Sequence, residues 1–251
     1  MMRSLLTRGM LAGLFAGLLA AGAAAIFGEP QVTHAIPFGD QLRQLAGQPA
    51  DPVLVSRSVQ SSVGMLTGMI IFGVAFGGIL AIVFALAYGR IGAVRARATA
   101  ALLAGAGLVA IYVVPALKYP ASPPSVGHPA TIGHRTALYA DMVILSVAAM
   151  VGAVMLGRYL ITHRGLRGWD AALWGGFAYI GAVAIAMIVL PGVNEVPPAL
   201  SAVVLWRFRI GSTGIQLVLW TGLALTFGIL AERLLEPEAH KIESSALHSG
   251  R

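Results

Sequence analysis

The sequence predicts an all-α integral membrane protein with six transmembrane helices, on the evidence of its composition and of the length and periodicity of its apolar runs. Of the 251 residues, 57% are hydrophobic and 11% are charged, whereas a soluble domain carries roughly 25% charged residues. Six apolar runs approach or exceed the roughly 20 residues that a helix needs to cross a bilayer. None alternates with the period of two typical of a membrane β-barrel, so we expect helices.

The predicted spans are joined by loops whose basic residues indicate the orientation. The spans cover residues 5–27, 63–88, 99–117, 136–161, 171–191 and 212–231. With the N-terminus in the cytoplasm, eleven of the 17 Lys and Arg residues lie on the inner side and six on the outer side. Because cytoplasmic loops carry the excess of basic residues, both termini are expected inside. We expect residues 1–235 to form a single transmembrane domain, and residues 236–251 to form a charged, disordered cytoplasmic tail.

The first span admits two interpretations. Its basic start, apolar middle and small residues near Ala25 are typical of a secretory signal, and cleavage would leave five spans. Alternatively, Gly9, Gly13 and Gly17 form the GxxxGxxxG pattern that lets two membrane helices approach closely. We favour a retained helix, because the polar motif that follows it recurs later in the chain.

The outer ends of spans 1, 3 and 5 resemble one another. They read FGEPQV, PALKYPAS and PGVNEVPP, each with a charged residue one or two places before a proline. Arg57, Arg135 and Arg209 each precede an inward-running span. This pattern predicts three helical hairpins of like orientation, as in transporters that are built from internal repeats. The alternative is that every outer helix end needs its own stop and anchor, which proline and arginine supply.

Residues with metal-binding chemistry fall on the predicted outer face. The segment PASPPSVGHP at 120–129 should run as a stiff, non-helical connection, because proline fixes its own φ and restricts the residue before it. Imidazole suits divalent Co, Ni, Cu and Zn, and carboxylate and amide oxygens suit harder ions. The histidine spacing is unlike that of structural zinc sites, and each histidine could equally be an ordinary surface residue. The candidate metal ligands of this face are His34, His128, His134, Glu29, Glu195 and Asn194.

Asp141 is the seventh candidate ligand, and it lies about one turn inside the fourth span. A carboxylate in the bilayer core costs roughly 2.5–3.5 kcal/mol. We therefore expect Asp141 to face the helix bundle or a wet cavity. The alternative is a structural pairing with a neighbour such as Arg135.

Several function classes are excluded by what the sequence lacks. The chain has no cysteine, which removes disulfides, thiolate metal sites and Cys nucleophiles. No predicted span contains a histidine that could hold haem, and no phosphate-binding loop, H-E-x-x-H or G-x-S-x-G motif occurs. The sequence therefore predicts no enzyme, no permanently bound cofactor and no nucleic-acid partner.

Three long motifs resemble the CbtA-type family of cobalt transporter subunits of bacteria. They are RGMLAGLFAGLLA with FGEPQV, YVVPALKYPASPPSVGHPATIGHRTALY, and LPGVNEVPPALSAVVLWRFRIGSTGIQLVLW. The resemblance runs from about residue 8 to residue 233 and implies Co2+ uptake for cobalamin synthesis across the cytoplasmic (inner) membrane. It also implies a small single-span partner, CbtB, with a histidine-rich tail.

The first outer loop departs from the family pattern. Many members carry a histidine- and acid-rich run there, whereas residues 36–57 read IPFGDQLRQLAGQPADPVLVSR and only His34 precedes them. Either the partner collects the metal or the substrate is not cobalt. Three functions remain open at this point: import of a divalent metal, a non-transporting membrane scaffold for a partner, and a permease for another small solute.

Overall fold

Six long helices make up the fold in the computed structural model, which describes residues 1–45, 47, 55–90, 92, 94–124 and 126–236. Within these residues no β-strand occurs, and six helices are long and apolar enough to span a membrane. They are α1 Met2–Gln41, α2 Arg57–Ala87, α3 Ala96–Lys118, α4 Ile132–Arg164, α5 Gly168–Val189 and α6 Ala202–Leu235. The predicted all-α fold with six spans is confirmed. The predicted tail from residue 237 onward lies outside the described residues.

The first helix continues beyond the point where the sequence predicts its end. An α-helical segment, Met2–Ala23, is followed by a π-helical segment, Ala24–Gly28, and by a further α-helical segment, Glu29–Leu45. A proline ring in an α-helix clashes with the carbonyl four residues earlier. The wider π-helical turn directly before Pro30 relieves that clash, and the expectation that Glu29 and Pro30 end the helix is therefore wrong.

The third helix accommodates its proline in the same way. A π-helical segment, Leu108–Val113, directly precedes Pro115, which has no N–H to donate to the carbonyl of Ile111. The hydroxyl of Tyr139, on α4, donates to that carbonyl at 3.4 Å. A neighbouring helix thus supplies the hydrogen bond that the proline removes.

The chain forms two compact units. The first contains Met1–His34, Arg43–Gly105 and the described chain from Ile210 onward, and the second contains Ala35–Leu42 and Ala106–Arg209. The first unit is therefore built from most of α1, α2, the first half of α3 and most of α6. The second unit is built from the second half of α3, from the whole of α4 and α5, and from the connections of these helices.

A glycine seam joins α1 to α2 in the first unit. A Cβ atom added to Gly17 would lie 2.5 Å from the carbonyl oxygen of Met69, so only glycine fits without a shift of the backbone. Because glycine lets backbones approach closely, the GxxxGxxxG prediction is confirmed for the described residues. The same collision would occur at the facing pairs Gly9–Gly77 and Gly13–Gly73.

The sixth helix completes the first unit by packing on α1 and α2. A Cβ atom on Gly222 would lie 3.1 Å from the Cβ of Ala16. The rings of Phe84 and Phe227 meet edge to face with centroids 5.2 Å apart, and both side chains are fully buried. This edge-to-face geometry is the favourable one for an aromatic pair.

A polar cluster in the first unit joins the start of α3 and the chain after α2 to the end of α6. Arg97 of α3 forms an ion pair with Glu232 of α6. The carboxylate of Glu236, just after α6, accepts hydrogen bonds from the N–H of Ala96 at 2.9 Å and from the hydroxyl of Tyr88 at 3.1 Å. Glu236 therefore satisfies one of the backbone donors that the start of a helix leaves unpaired.

The second unit has a small core beneath its outer end. Val114, Met142 and Val183, from α3, α4 and α5, form its buried centre. Nearer the inner end, the hydroxyls of Ser146 and Tyr179 are hydrogen-bonded at 2.9 Å. Only 11% and 6% of the most apolar windows of α4 and α5 are buried, compared with 28–39% in the other four helices.

Candidate functional site

The proline-rich connection closes around the carboxylate of Glu195. Oxygen Oε2 of Glu195 accepts hydrogen bonds from the backbone N–H of His128 at 2.9 Å and from the hydroxyl of Thr131 at 2.8 Å. The Nε of Arg135 lies 3.5 Å from the same oxygen. These three donors surround the N-terminus of α4, where backbone N–H groups point outward and the helix dipole favours negative charge. Glu195 thus holds the segment that leads into α4 from a distant part of the chain, an arrangement here called the Glu195 cap.

Gly127 makes this closure sterically feasible. Its φ is +96°, a conformation that residues with a side chain rarely adopt. A Cβ atom there would lie 2.7 Å from a guanidinium nitrogen of Arg135 and 2.9 Å from Oε2 of Glu195. The conformation of Gly127 therefore lets the connection fold closely around the carboxylate of Glu195.

The surroundings of Glu195 favour its charged form. Its side chain is 18% exposed. The hydrogen bond from Thr131, followed by that from the N–H of His128, holds the pKa of the Glu195 carboxyl below its usual value of 4.5. Burial opposes this shift, and the charges of Arg135 and His128 reinforce it. The carboxylate is therefore ionised at neutral pH.

Lys118 and Tyr119 fasten the start of the connection to the outer end of α5. The Lys118 ammonium donates to the carbonyl of Met187 at 2.6 Å, and the Tyr119 hydroxyl donates to the carbonyl of Pro191 at 2.8 Å. A cation at a helix C-terminus is favoured because unpaired carbonyls gather there. Burial raises the pKa of Tyr119, and the nearby charge of Asp141 raises it further.

Asp141 lies in α4 with its side chain exposed. Arg135, its alternative partner in the sequence analysis, forms an ion pair with Glu195 instead. The expectation that Asp141 faces the bundle or a wet cavity stays a prediction.

A second acid–arginine pair occurs at the outer end of the first unit. Arg57, at the start of α2, donates a 2.5 Å hydrogen bond to Glu29 of α1. Each pair joins a carboxylate of one predicted outer motif to an arginine that precedes an inward-running span. The third such arginine, Arg209, donates to the carbonyl of Ala121 at 3.2 Å. Arg57 therefore binds a carboxylate within α1, whereas Arg135 and Arg209 bind the connections that follow α5 and α3.

The remaining candidate ligands are surface groups. His34, His128, His134 and Asn194 are all exposed. Of the seven candidates, Glu29 and His34 belong to the first unit and the other five to the second. Among the described residues, no group of three or more His, Asp or Glu side chains could hold a metal ion together. The convergence of all seven on one site stays a prediction.

The comparison with known proteins gives one match. No curated protein and no solved structure matches the chain. A family model described as "Probable cobalt transporter subunit (CbtA)" matches residues 2–232, which include all six spanning helices except the last three residues of α6. The chain therefore belongs to the CbtA family of cobalt transporter subunits.

Proposed function

We propose that this chain is the membrane-spanning subunit of a Co2+ uptake system in the bacterial cytoplasmic membrane, and that the system serves cobalamin synthesis. The observation that carries the proposal is family membership over residues 2–232, together with six helices able to span a membrane. In this proposal both termini lie in the cytoplasm, which the larger number of basic residues in the loops on that side supports.

In this proposal Co2+ is the cargo, and the outer face gives it transient ligands. A borderline divalent ion accepts imidazole nitrogen together with carboxylate and amide oxygen. A site with few protein donors keeps most of the ion's water, and such weak binding permits release. The proposed ligands are His34, His128 and His134 for nitrogen and Glu29, Asp141, Asn194 and Glu195 for oxygen.

The proposal includes a partner that collects the metal. The first outer loop, residues 36–57, contains no histidine. A small single-span protein of the CbtB type, with a histidine-rich tail, would provide imidazole ligands that this loop lacks.

A second candidate function is a membrane scaffold that binds a transporting partner but does not itself carry the ion. The low burial of α4 and α5, at 11% and 6% of their most apolar windows, favours it. Apolar helix faces of this kind are available to lipid or to a neighbouring membrane protein.

Uptake of Co2+ into liposomes that contain the purified chain, with and without the partner, tests these functions. We expect uptake by the wild-type chain to fall strongly in the triple variant His128→Ala, His134→Ala, Asp141→Asn. The matched control, His163→Ala with Asp170→Ala, removes a histidine and an aspartate at the opposite helix ends and should leave uptake unchanged.

The outcomes separate the candidates. Uptake only in the presence of the partner, with no effect of the triple substitution, would favour the scaffold. Uptake of labelled Co2+ that Ni2+, Zn2+ or Mg2+ inhibits at lower concentration than unlabelled Co2+ does would indicate another substrate. Competition during transport is more informative than affinity, since affinity alone follows the Irving–Williams order.

A further inference from the structure

We propose that Arg135 is a resident counter-ion of Glu195 and that the transported divalent cation binds Glu195 by displacing it. This inference rests on the proposed function and adds a mechanism by which the empty site stays neutralised. It concerns the carboxylate of Glu195, the imidazole of His128 and the guanidinium of Arg135, all in the second unit.

The first step of the argument is that Arg135 is loosely held. Its Nε lies 3.5 Å from Oε2 of Glu195, whereas a strong charge-assisted hydrogen bond measures roughly 2.7–2.9 Å. That Nε is buried and has no hydrogen-bond partner among the described residues. The Arg57–Glu29 pair, by contrast, is joined by a hydrogen bond. The pair at Glu195 is therefore the less strongly hydrogen-bonded of these two.

The second step is that the carboxylate stays in place when the arginine leaves. The N–H of His128 and the hydroxyl of Thr131 both donate to Oε2, at 2.9 and 2.8 Å. Neither bond depends on the guanidinium. A cation can then bind Oε1 while both hydrogen bonds of the Glu195 cap remain.

The third step is that the imidazole of His128 is available as a nitrogen ligand. The side chain of His128 is exposed. Its backbone N–H is already bonded to Glu195, which fixes this residue beside the carboxylate. One imidazole, one carboxylate and water ligands form an incomplete protein site, suited to a borderline divalent ion that must be released.

The fourth step is that displacement and a purely structural role of Arg135 predict opposite changes in metal affinity when Arg135 is removed. If Arg135 only stabilises the connection, its removal should loosen the site and weaken metal binding, as should removal of Glu195. If Arg135 competes with the metal, its removal should strengthen binding while removal of Glu195 weakens it. Opposite effects of two substitutions in one ion pair are therefore the signature of displacement.

Isothermal titration of the purified full chain with Co2+ provides the test. We expect Arg135→Gln to bind about fivefold more tightly than wild type, the scale of one partly exposed ion pair. Glu195→Gln should bind about tenfold more weakly or worse. Arg164→Gln, the same substitution at the inner end of α4, controls for the loss of one positive charge.

Arg135→Gln binding that equals or falls below wild type would overturn the inference. If that variant does not fold, the wild-type chain still decides: phenylglyoxal should modify Arg135 faster when Co2+ is added, relative to Arg164. An unchanged or slower rate overturns the inference. A wild-type chain that transports Co2+ but fails these tests keeps the proposed function, whereas a chain that neither binds nor transports Co2+ refutes both.

Discussion

The glycine seam between α1 and α2 makes a quantitative prediction for Gly17→Ala. The added Cβ would lie 2.5 Å from the carbonyl oxygen of Met69, so the two helices must separate by about 0.8 Å to reach a normal carbon–oxygen contact. Overpacking of this kind costs about 1–3 kcal/mol. The matched control is Gly22→Ala, because a Cβ there meets no atom within 4 Å. Alanine is a better helix former than glycine by about 1 kcal/mol, and the control should therefore gain stability.

Because both variants gain the same helix propensity, they should differ by about 1–3 kcal/mol in unfolding free energy, with Gly17→Ala the less stable. Unfolding of the purified chain by increasing SDS in mixed micelles, followed by circular dichroism, measures this difference. Gly68→Ala, on α2, is a second control, because its Cβ also meets no atom within 4 Å. Equal stability of Gly17→Ala and the controls would refute the close approach of the two helices.

Three further predictions concern the Glu195 cap, the packing of α6 and the first helix. Because the folded pKa of Glu195 is lowered, the stability that its charge contributes is present at neutral pH and is lost as pH falls below 4.5 through the folded value. Thr131→Ala should move this loss to higher pH, as read by hydrogen exchange of residues 126–131; an unchanged pH profile would contradict the cap. Ala100→Cys with Gly228→Cys should form a disulfide under mild oxidation, since their Cβ atoms would lie 3.6 Å apart, whereas Gly105→Cys with Gly228→Cys should not. The intact mass of membrane-extracted protein should include α1, and a mass that lacks it would instead show a cleaved signal.

The spans were predictable because a membrane helix is defined by local composition. Each apolar run appears as a helix, since a backbone in hydrocarbon must satisfy its own hydrogen bonds. The ends were less predictable, as Pro30 illustrates. Proline normally stops a helix, but here a π-helical segment, Ala24–Gly28, is followed by a further α-helical segment, Glu29–Leu45. Local sequence gives no signal for that wider turn.

The glycine seam and the Glu195 cap were predictable to different degrees. The spacing of Gly9, Gly13 and Gly17 indicated a contact face but not its partner on α2. The cap at Glu195 was not predictable, because capping motifs are recognised within a few residues, whereas Glu195 lies 64 and 67 residues from its two donors. The sequence named Arg57 and Arg135 as equivalent anchors but could not show which carboxylate each would bind.

The recurrence of arginine at three outer helix starts does not make the three positions equivalent. Where the first and third motifs have a glutamate, the second has Lys118, which would repel an arginine and donates instead to the end of α5. Arg209 donates to the backbone carbonyl of Ala121. Of the two described pairs that involve the outer motifs, Arg57–Glu29 is hydrogen-bonded, whereas the Nε of Arg135 lies 3.5 Å from Glu195 and has no hydrogen-bond partner among the described residues. A repeated anchoring scheme can therefore leave one carboxylate exchangeable, and this asymmetry directs the search for the metal to Glu195.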